Sequence, residues 1–309
     1  MIFETKFKNV KAVQLENEHI KIVVLPEKGG KLASIFLKKK EFELVFQNKQ
    51  NEYKNTEIYD VFSDFDASGF DDAFPSINVC NVKIGDKEVV YPDHGEIWSG
   101  NFSCNIVEEK IKLFYKSSIL PYSYKKIITI QNNEVVLEYE IINQGSINFP
   151  CIWAAHFLVN CHENMELIMP ENTKDIINVT TSNYLGDIGE THFYPITEDH
   201  FGKKYFLDRV YPKSAKKAEK YYIDQEISEG ECGIYYPHRD VTYKLSFDKS
   251  IMPYIGFWVT EGGFRGDYNC ALEPTNGFYD GIDIALREKK IFILKAAQTL
   301  KFKIKIEIK

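Results

Sequence analysis

The chain reads as strands almost from end to end. Residues 299–309 (TLKFKIKIEIK) alternate strictly between apolar and polar, the pattern of a strand with one buried face and one wet face. Residues 125–142 (KKIITIQNNEVVLEYEII) hold two alternating runs about Asn132-Asn133, which predicts a hairpin. Residues 19–26 form a short apolar run that ends in a Pro-Glu-Lys-Gly-Gly turn, and residues 32–37 resume as a strand. Residues 149–159 are apolar apart from one histidine, as expected of a strand buried on both faces. Residues 244–247, 254–260 and 270–273 predict further strands. Helical periodicity is poor. Residues 214–222 (SAKKAEKYY) are expected to make one or two turns after Pro212, and residues 53–66 a loop or short helix. No linker, low-complexity tract or repeat divides the sequence. The expected fold is all-β, one large antiparallel β-sandwich spanning residues 1–309 as a single domain.

Composition narrows the function. The 309 residues are 44% hydrophobic and 27% charged, an ordinary globular balance. Aromatics reach 14%, with 19 Tyr, 22 Phe and 3 Trp; most fill a core, and some offer flat faces to a ring-shaped ligand. A formal net charge of −7 argues against nucleic acid, which needs a basic face to neutralise phosphates. The arginines are Arg209, Arg239, Arg265 and Arg287, few for gripping a phosphate by a guanidinium fork. Cys80, Cys104, Cys151, Cys161, Cys232 and Cys270 form no C-x-x-C pair and read as structural thiols. With no signal-like opening and no run of about 18 apolar residues, the expectation is a soluble cytoplasmic protein that does not enter a membrane.

Three segments concentrate polar chemistry. Residues 69–77 (GFDDAFPSI) run on toward 91–99 (YPDHGEIWS), where Asp93, His94 and Glu96 stand beside Trp98 in a stretch that Pro92 and Gly95 mark as a loop. Binding groups concentrate on loops held by a sheet; the plain alternative is a turn whose Asp93 and His94 satisfy backbone groups. In residues 150–159 (PCIWAAHFLV), His156 interrupts an apolar run. Burying an imidazole is costly unless it is hydrogen-bonded, so it is either a satisfied core histidine or a group lowered into a pocket to exchange protons. Residues 254–280 (YIGFWVTEGGFRGDYNCALEPTNGFYD) lead from a tryptophan strand through a Gly-Gly turn to Glu273-Pro274. Pro274 is expected to hold Glu273 extended and to stop the strand, fixing a carboxylate at its end; an N-cap or an edge salt bridge is the alternative.

Taken together, FDDAFPSI, PDHGEIW, CIWAAHF with Met169-Pro170, and FWVTEGG…YNCALEPTNG resemble the aldose 1-epimerase (galactose mutarotase-like) family, in the family's order and across nearly the whole chain. The resemblance implies a β-supersandwich with a sugar cleft on one concave face. It implies Glu273 as base, His156 as acid and His94 assisting at the sugar ring, with Asp71, Asp72, Asp93, Trp153 and Trp258 binding or lining the pocket. The departures are the lack of an arginine in GFDDAFPSI, His94-Gly95-Glu96 in place of a His-Gly-Gly turn, and no clear match for a further sugar-binding aspartate, for which Asp208 is one candidate.

The chemistry so implied is interconversion of the α and β anomers of a free aldohexose. Ionised Glu273 would take the O1 proton while protonated His156 donates to the ring oxygen. No electron moves, so no metal or redox cofactor is expected. Three alternatives stay open at this point: a non-catalytic carbohydrate-binding protein, a glycoside-active enzyme using Asp71 or Asp72 opposite Glu273, and an epimerase of sugar phosphates.

Overall fold

The structure, a computed structural model, describes residues 1–65 and 67–309. Asp66, the end of the 53–66 stretch, lies outside the described residues. Two large antiparallel sheets carry the fold, one of thirteen strands and one of eight. The central run of the larger sheet is Lys31–Leu37, Phe70–Ala73, Ala154–Phe157, Tyr268–Thr275, Tyr254–Glu261 and Lys217–Ile223, in that spatial order. The middle of the smaller sheet is Glu231–Tyr236, Val241–Phe247, Thr299–Ile308, Glu134–Asn143 and Tyr122–Gln131. Among the described residues no helix is long and apolar enough to cross a membrane.

Strand parity decides what goes inside. In the larger sheet Phe70, Phe157, Phe257, Leu272 and Tyr221 turn to one face, where they join Leu137, Ile141, Ile304 and Ile306 of the smaller sheet in one core. Burying each such side chain is worth about 1.5–3 kcal/mol, which is what clamps the two sheets together. The smaller sheet's other face is wet, as the alternating tail implies. Lys301, Lys303 and Lys305 there meet Glu140, Glu138 and Glu134 across the strands.

The predicted hairpin forms as Tyr122–Gln131 and Glu134–Asn143, in register from Tyr122↔Asn143 to Gln131↔Glu134. Three expectations change. The 149–159 run is three short strands: Phe149–Cys151 pairs with Phe292–Leu294, Ala154–Phe157 sits between two strands of the large sheet, and Val159–Asn160 continues against Tyr268–Thr275. The chain changes partners at Trp153, whose N–H donates to the Asn276 side chain at 2.7 Å. Residues 213–215 make a single 3₁₀ turn, Lys216 turns left-handed (φ 56°), and Lys217–Ile223 is a central strand. Burial between two neighbouring strands overrides the weak helical pattern there. Pro274 does not stop its strand, which runs to Thr275. It sits opposite Ile255, where the ladder toward the Ala154–Phe157 strand is reduced to Ala154↔Thr275, so a missing N–H is tolerated.

Candidate functional site

The face of the large sheet that turns away from the core carries one transverse row of polar side chains. Asp71 pairs with His156. The flanking pairs Ala154↔Thr275 and Val159↔Cys270 share one register, and that register sets His156 opposite Glu273. Glu273 in turn pairs with Gly256, and Gly256 with Tyr222. Directly opposed side chains in antiparallel strands stand about 4.5–5.5 Å apart at Cβ. Two groups 117 positions apart in the sequence, His156 and Glu273, are thereby set at opposed positions of adjacent strands, between the two stretches where those strands pair. Gly256 keeps this row open: a Cβ there would lie 3.1 Å from the Tyr222 ring, which crosses over it.

Above the row lies a cleft of about 310 Å³, the lower end of the range for small-molecule sites. His94, His156, Asp93, Lys220 and Asp280 supply its polar wall, and Phe62, Leu158, Trp258 and Phe264 its apolar one. A wider groove of about 660 Å³ runs along the outer face of the smaller sheet, but its walls are the Lys–Glu ladder and none of the sequence candidates line it.

The PDHG turn brings His94 in. His94 takes a left-handed conformation (φ 55°), uncommon for a residue with a Cβ, and Gly95 follows it (φ 73°). A Cβ at Gly95 would fall 2.0 Å from the Phe74 carbonyl oxygen, so the turn is built on close backbone packing. Asp93 Oδ1 lies 2.8 Å from His94 Nδ1, and Asp93 Oδ2 accepts the Phe62 N–H at 2.8 Å. The Phe62 ring stacks on His94 with centroids 4.3 Å apart, and the His94 and His156 rings meet edge-on at 4.8 Å.

Electrostatics assign the charges. Burial acts to raise the Asp93 carboxyl, but the hydrogen bond and charge of His94 outweigh it and hold Asp93 below its usual range. His156 is held well below the ordinary imidazole range, first by burial, then by the nearby His94, Lys220 and Lys31. A protonated His156, expected from the sequence, is therefore not the state this pocket favours. Its Nδ1 is buried without a hydrogen-bond partner among the described residues.

Glu273 is fully buried. Lys220 Nζ lies 3.0 Å from Glu273 Oε2 and 2.9 Å from Asp280 Oδ2. Both Glu273 carboxylate oxygens are buried, and the Lys220 ammonium is the cation in contact with them. Burial raises the Glu273 carboxyl, the Lys220 charge pulls it back, Asp280 raises it again, and the balance stays above the ordinary value. Burial would lower Lys220, but Asp280 and Glu273 together push it above its ordinary value. The two upward shifts are consistent: one ammonium shared by two carboxylates is fully compensated, while Glu273 is not.

Several sequence candidates lie elsewhere. Asp72 alternates with Asp71 and points into the core, where Lys126, Tyr124 and Tyr139 hold it, so it is not a cleft residue. Trp153 is fully buried on the same side, its indole N–H donating to the Tyr124 hydroxyl at 2.7 Å, and does not line the pocket. Asp71 shares the face of His156 but is buried beneath the cleft in an ion pair with Lys31. Asp208 does not line the cleft; it binds Arg209. Trp258 does line it, tied to Asn269 at 3.3 Å. Sequence reasoning missed Phe62, Lys220, Asn269 and Asp280. A lysine two residues before a strand tyrosine carries no local signal, because its partners lie more than fifty positions downstream. Among the described residues no three His, Cys, Asp or Glu side chains are grouped so as to hold a metal ion.

Comparison with known proteins agrees with this architecture. No curated protein matches the chain. The Slr1438 protein of Synechocystis sp. PCC 6803 superposes with a TM-score of 0.74 at 14% identity, covering 99% of either chain. A galactose mutarotase-like protein of Lactobacillus casei gives 0.69 at 17% identity, covering 96% of this chain and 100% of that one. Another galactose mutarotase-like protein, from Clostridium acetobutylicum, gives 0.69 at 13% identity, covering 100% and 98%. A family described as a domain of unknown function (DUF5107) matches residues 3–259. The chain belongs to that family, and its fold is the galactose mutarotase-like β-sandwich.

Proposed function

We propose that the protein interconverts the α and β anomers of a free aldohexose, an aldose 1-epimerase-like isomerase. Glu273 is the base. It takes the proton from the anomeric O1 hydroxyl as the C1–O5 bond breaks and its electron pair passes to O5. His94, its Nδ1 held by Asp93, carries the imidazolium, and its Nε2 gives a proton to O5. The aldehyde turns about C1–C2. On closure O5 returns its proton to His94 and Glu273 returns its proton to O1, so nothing is consumed. Neutral His156, between the two, orients the sugar. Trp258 and Phe264 offer the apolar wall, and the substrate is the uncharged sugar.

The observation that carries this reading is the register that makes His156 and Glu273 neighbours on one face, under a cleft that also holds His94. A carboxyl held above its ordinary value is a stronger base than an exposed one. The glycoside-cleaving alternative is weakened because Asp72 faces the core and Asp71 is held by Lys31. The test is polarimetry of freshly dissolved α-glucose and α-galactose. Wild type accelerates the approach to equilibrium, and Glu273→Gln loses about 10²–10⁴-fold in turnover while calorimetry still detects sugar binding. Equal rates in the two proteins would remove Glu273 from the chemistry.

A further inference from the structure

We infer that Lys220 is a positioning residue: clamped by Asp280, its ammonium fixes the Glu273 carboxylate in place and in charged form, and the share of that ammonium taken by Asp280 sets how strong a base Glu273 is. The inference rests on the reading of Glu273 as the base.

Lys220 and Tyr222 occupy alternate positions of the Lys217–Ile223 strand and therefore share the cleft face. The Tyr222 hydroxyl donates to Asp280 Oδ1 at 2.8 Å, and the other carboxylate oxygen of Asp280 meets Lys220 at 2.9 Å. Glu273 completes the chain at 3.0 Å from the same ammonium. Asp280 is fixed in turn by its backbone, whose carbonyl accepts the Asn78 N–H at 2.9 Å. The lysine is thus held from one side and offered to Glu273 on the other.

A fully buried carboxylate survives as an anion only beside a cation. The charged or titratable groups around Glu273 among the described residues are Lys220 and Asp280, the Tyr222 hydroxyl that donates to Asp280, His156 on the neighbouring strand, His94 on the PDHG turn, and the Lys31–Asp71 pair one strand further. His156 is neutral and Lys31 is engaged by Asp71, which leaves Lys220 as the cation in contact. Without it, Glu273 and Asp280 would face one another as two buried carboxylates, and one would take up a proton. The acid limb of the activity profile must then follow Lys220 and Asp280 in opposite directions.

The experiment measures turnover against pH for wild type, Lys220→Met, Lys220→Arg and Asp280→Asn. In parallel, the Glu273 carboxyl is titrated by ¹³C NMR of glutamate-labelled protein, its resonance identified by loss in Glu273→Gln. Lys220→Met is expected to move the acid limb and the Glu273 titration upward by about 1–3 pH units, and Lys220→Arg to restore both. Asp280→Asn is expected to move both downward. Loss of structure alone would lower the amplitude without these opposed shifts. The inference is overturned if folded Lys220→Met titrates like wild type, or if Asp280→Asn stays in place or shifts upward. Should Lys220→Met fail to fold, Lys220→Arg matching wild type together with a downward Asp280→Asn supports it, and any other pattern in those two overturns it. The NMR titration needs no turnover. A wild type inactive on every sugar therefore defeats the proposed function, while the Lys220 inference is still decided.

Discussion

Removing the ammonium of Lys126 tests the placement of Asp72 most directly. Both side chains are fully buried. Lys126 Nζ reaches the two Asp72 oxygens at 3.1 and 3.0 Å, the Tyr124 and Tyr139 hydroxyls donate to Asp72 at 3.0 and 2.9 Å, and Trp153 donates to Tyr124. Lys126→Met keeps the length and removes the charge. It leaves an anion in dry core with two hydroxyl donors, and breaking a buried pair in this way costs about 3–5 kcal/mol. Against a total of about 5–15 kcal/mol for a folded domain, that is a large fraction. Asp72→Leu alone should cost a similar amount, because it strands the ammonium. The double variant should cost much less than the sum, since no buried charge is then left unpaired and the losses are the two tyrosine O–H donations and the Lys126 bond to the Gly30 carbonyl, at about 1–3 kcal/mol each. Urea unfolding followed by the fluorescence of Trp153, adjacent to the network, reads all four proteins of the cycle. A Lys126→Met cost below about 1 kcal/mol would refute the reasoning. So would an Asp72→Asn protein of unchanged stability that no longer binds sugar, because that result would return Asp72 to the cleft.

Two further outcomes follow from the structure. Burial pushes the Glu219 and Glu261 carboxyls, on neighbouring strands, up to about 7 from 4.5. The folded chain therefore holds protons that the unfolded chain has released, and unfolding free energy should fall as pH rises between those values, by at most about 3 kcal/mol per group. Glu219→Gln and Glu261→Gln should each flatten that slope and stabilise the protein above neutrality; urea midpoints that rise with pH in wild type would contradict it. Trp258→Ala should raise KM about tenfold with little change in turnover, as for an apolar contact made equally before and during reaction; a fall in turnover at constant KM would assign the ring a different role.

The fold was legible because its signal is local. Strict alternation in 299–309 and the two runs about Asn132-Asn133 require only that one face be wet, and those strands form where the pattern puts them. His156 stood out as a polar group inside an apolar run, and Glu273 as a carboxylate held extended by the proline after it. The misplacements are failures of parity rather than of motif. Asp71 and Asp72 are consecutive in one strand and must face opposite ways, so both could not reach the sugar. Trp153 and His156 are an odd number of positions apart, and only the histidine turns to the cleft. Lys220 was invisible because its meaning lies in Glu273 and Asp280, which a hydrogen-bonded register and a turn bring to it.

Parity also explains why a charged row can sit on an otherwise apolar sheet. Each buried carboxylate of the Phe70–Ala73 strand has its own lysine: Asp71 takes Lys31 from the neighbouring strand, while Asp72, facing the other way, takes Lys126 from the opposite sheet. Glu273 must share Lys220 with Asp280. Along this row it is the fully buried carboxylate that shares its lysine, and it lies beneath the cleft where the two imidazoles meet. Under the proposed function a base is a group whose charge the fold leaves partly uncompensated, and sharing Lys220 with Asp280 gives Glu273 that character.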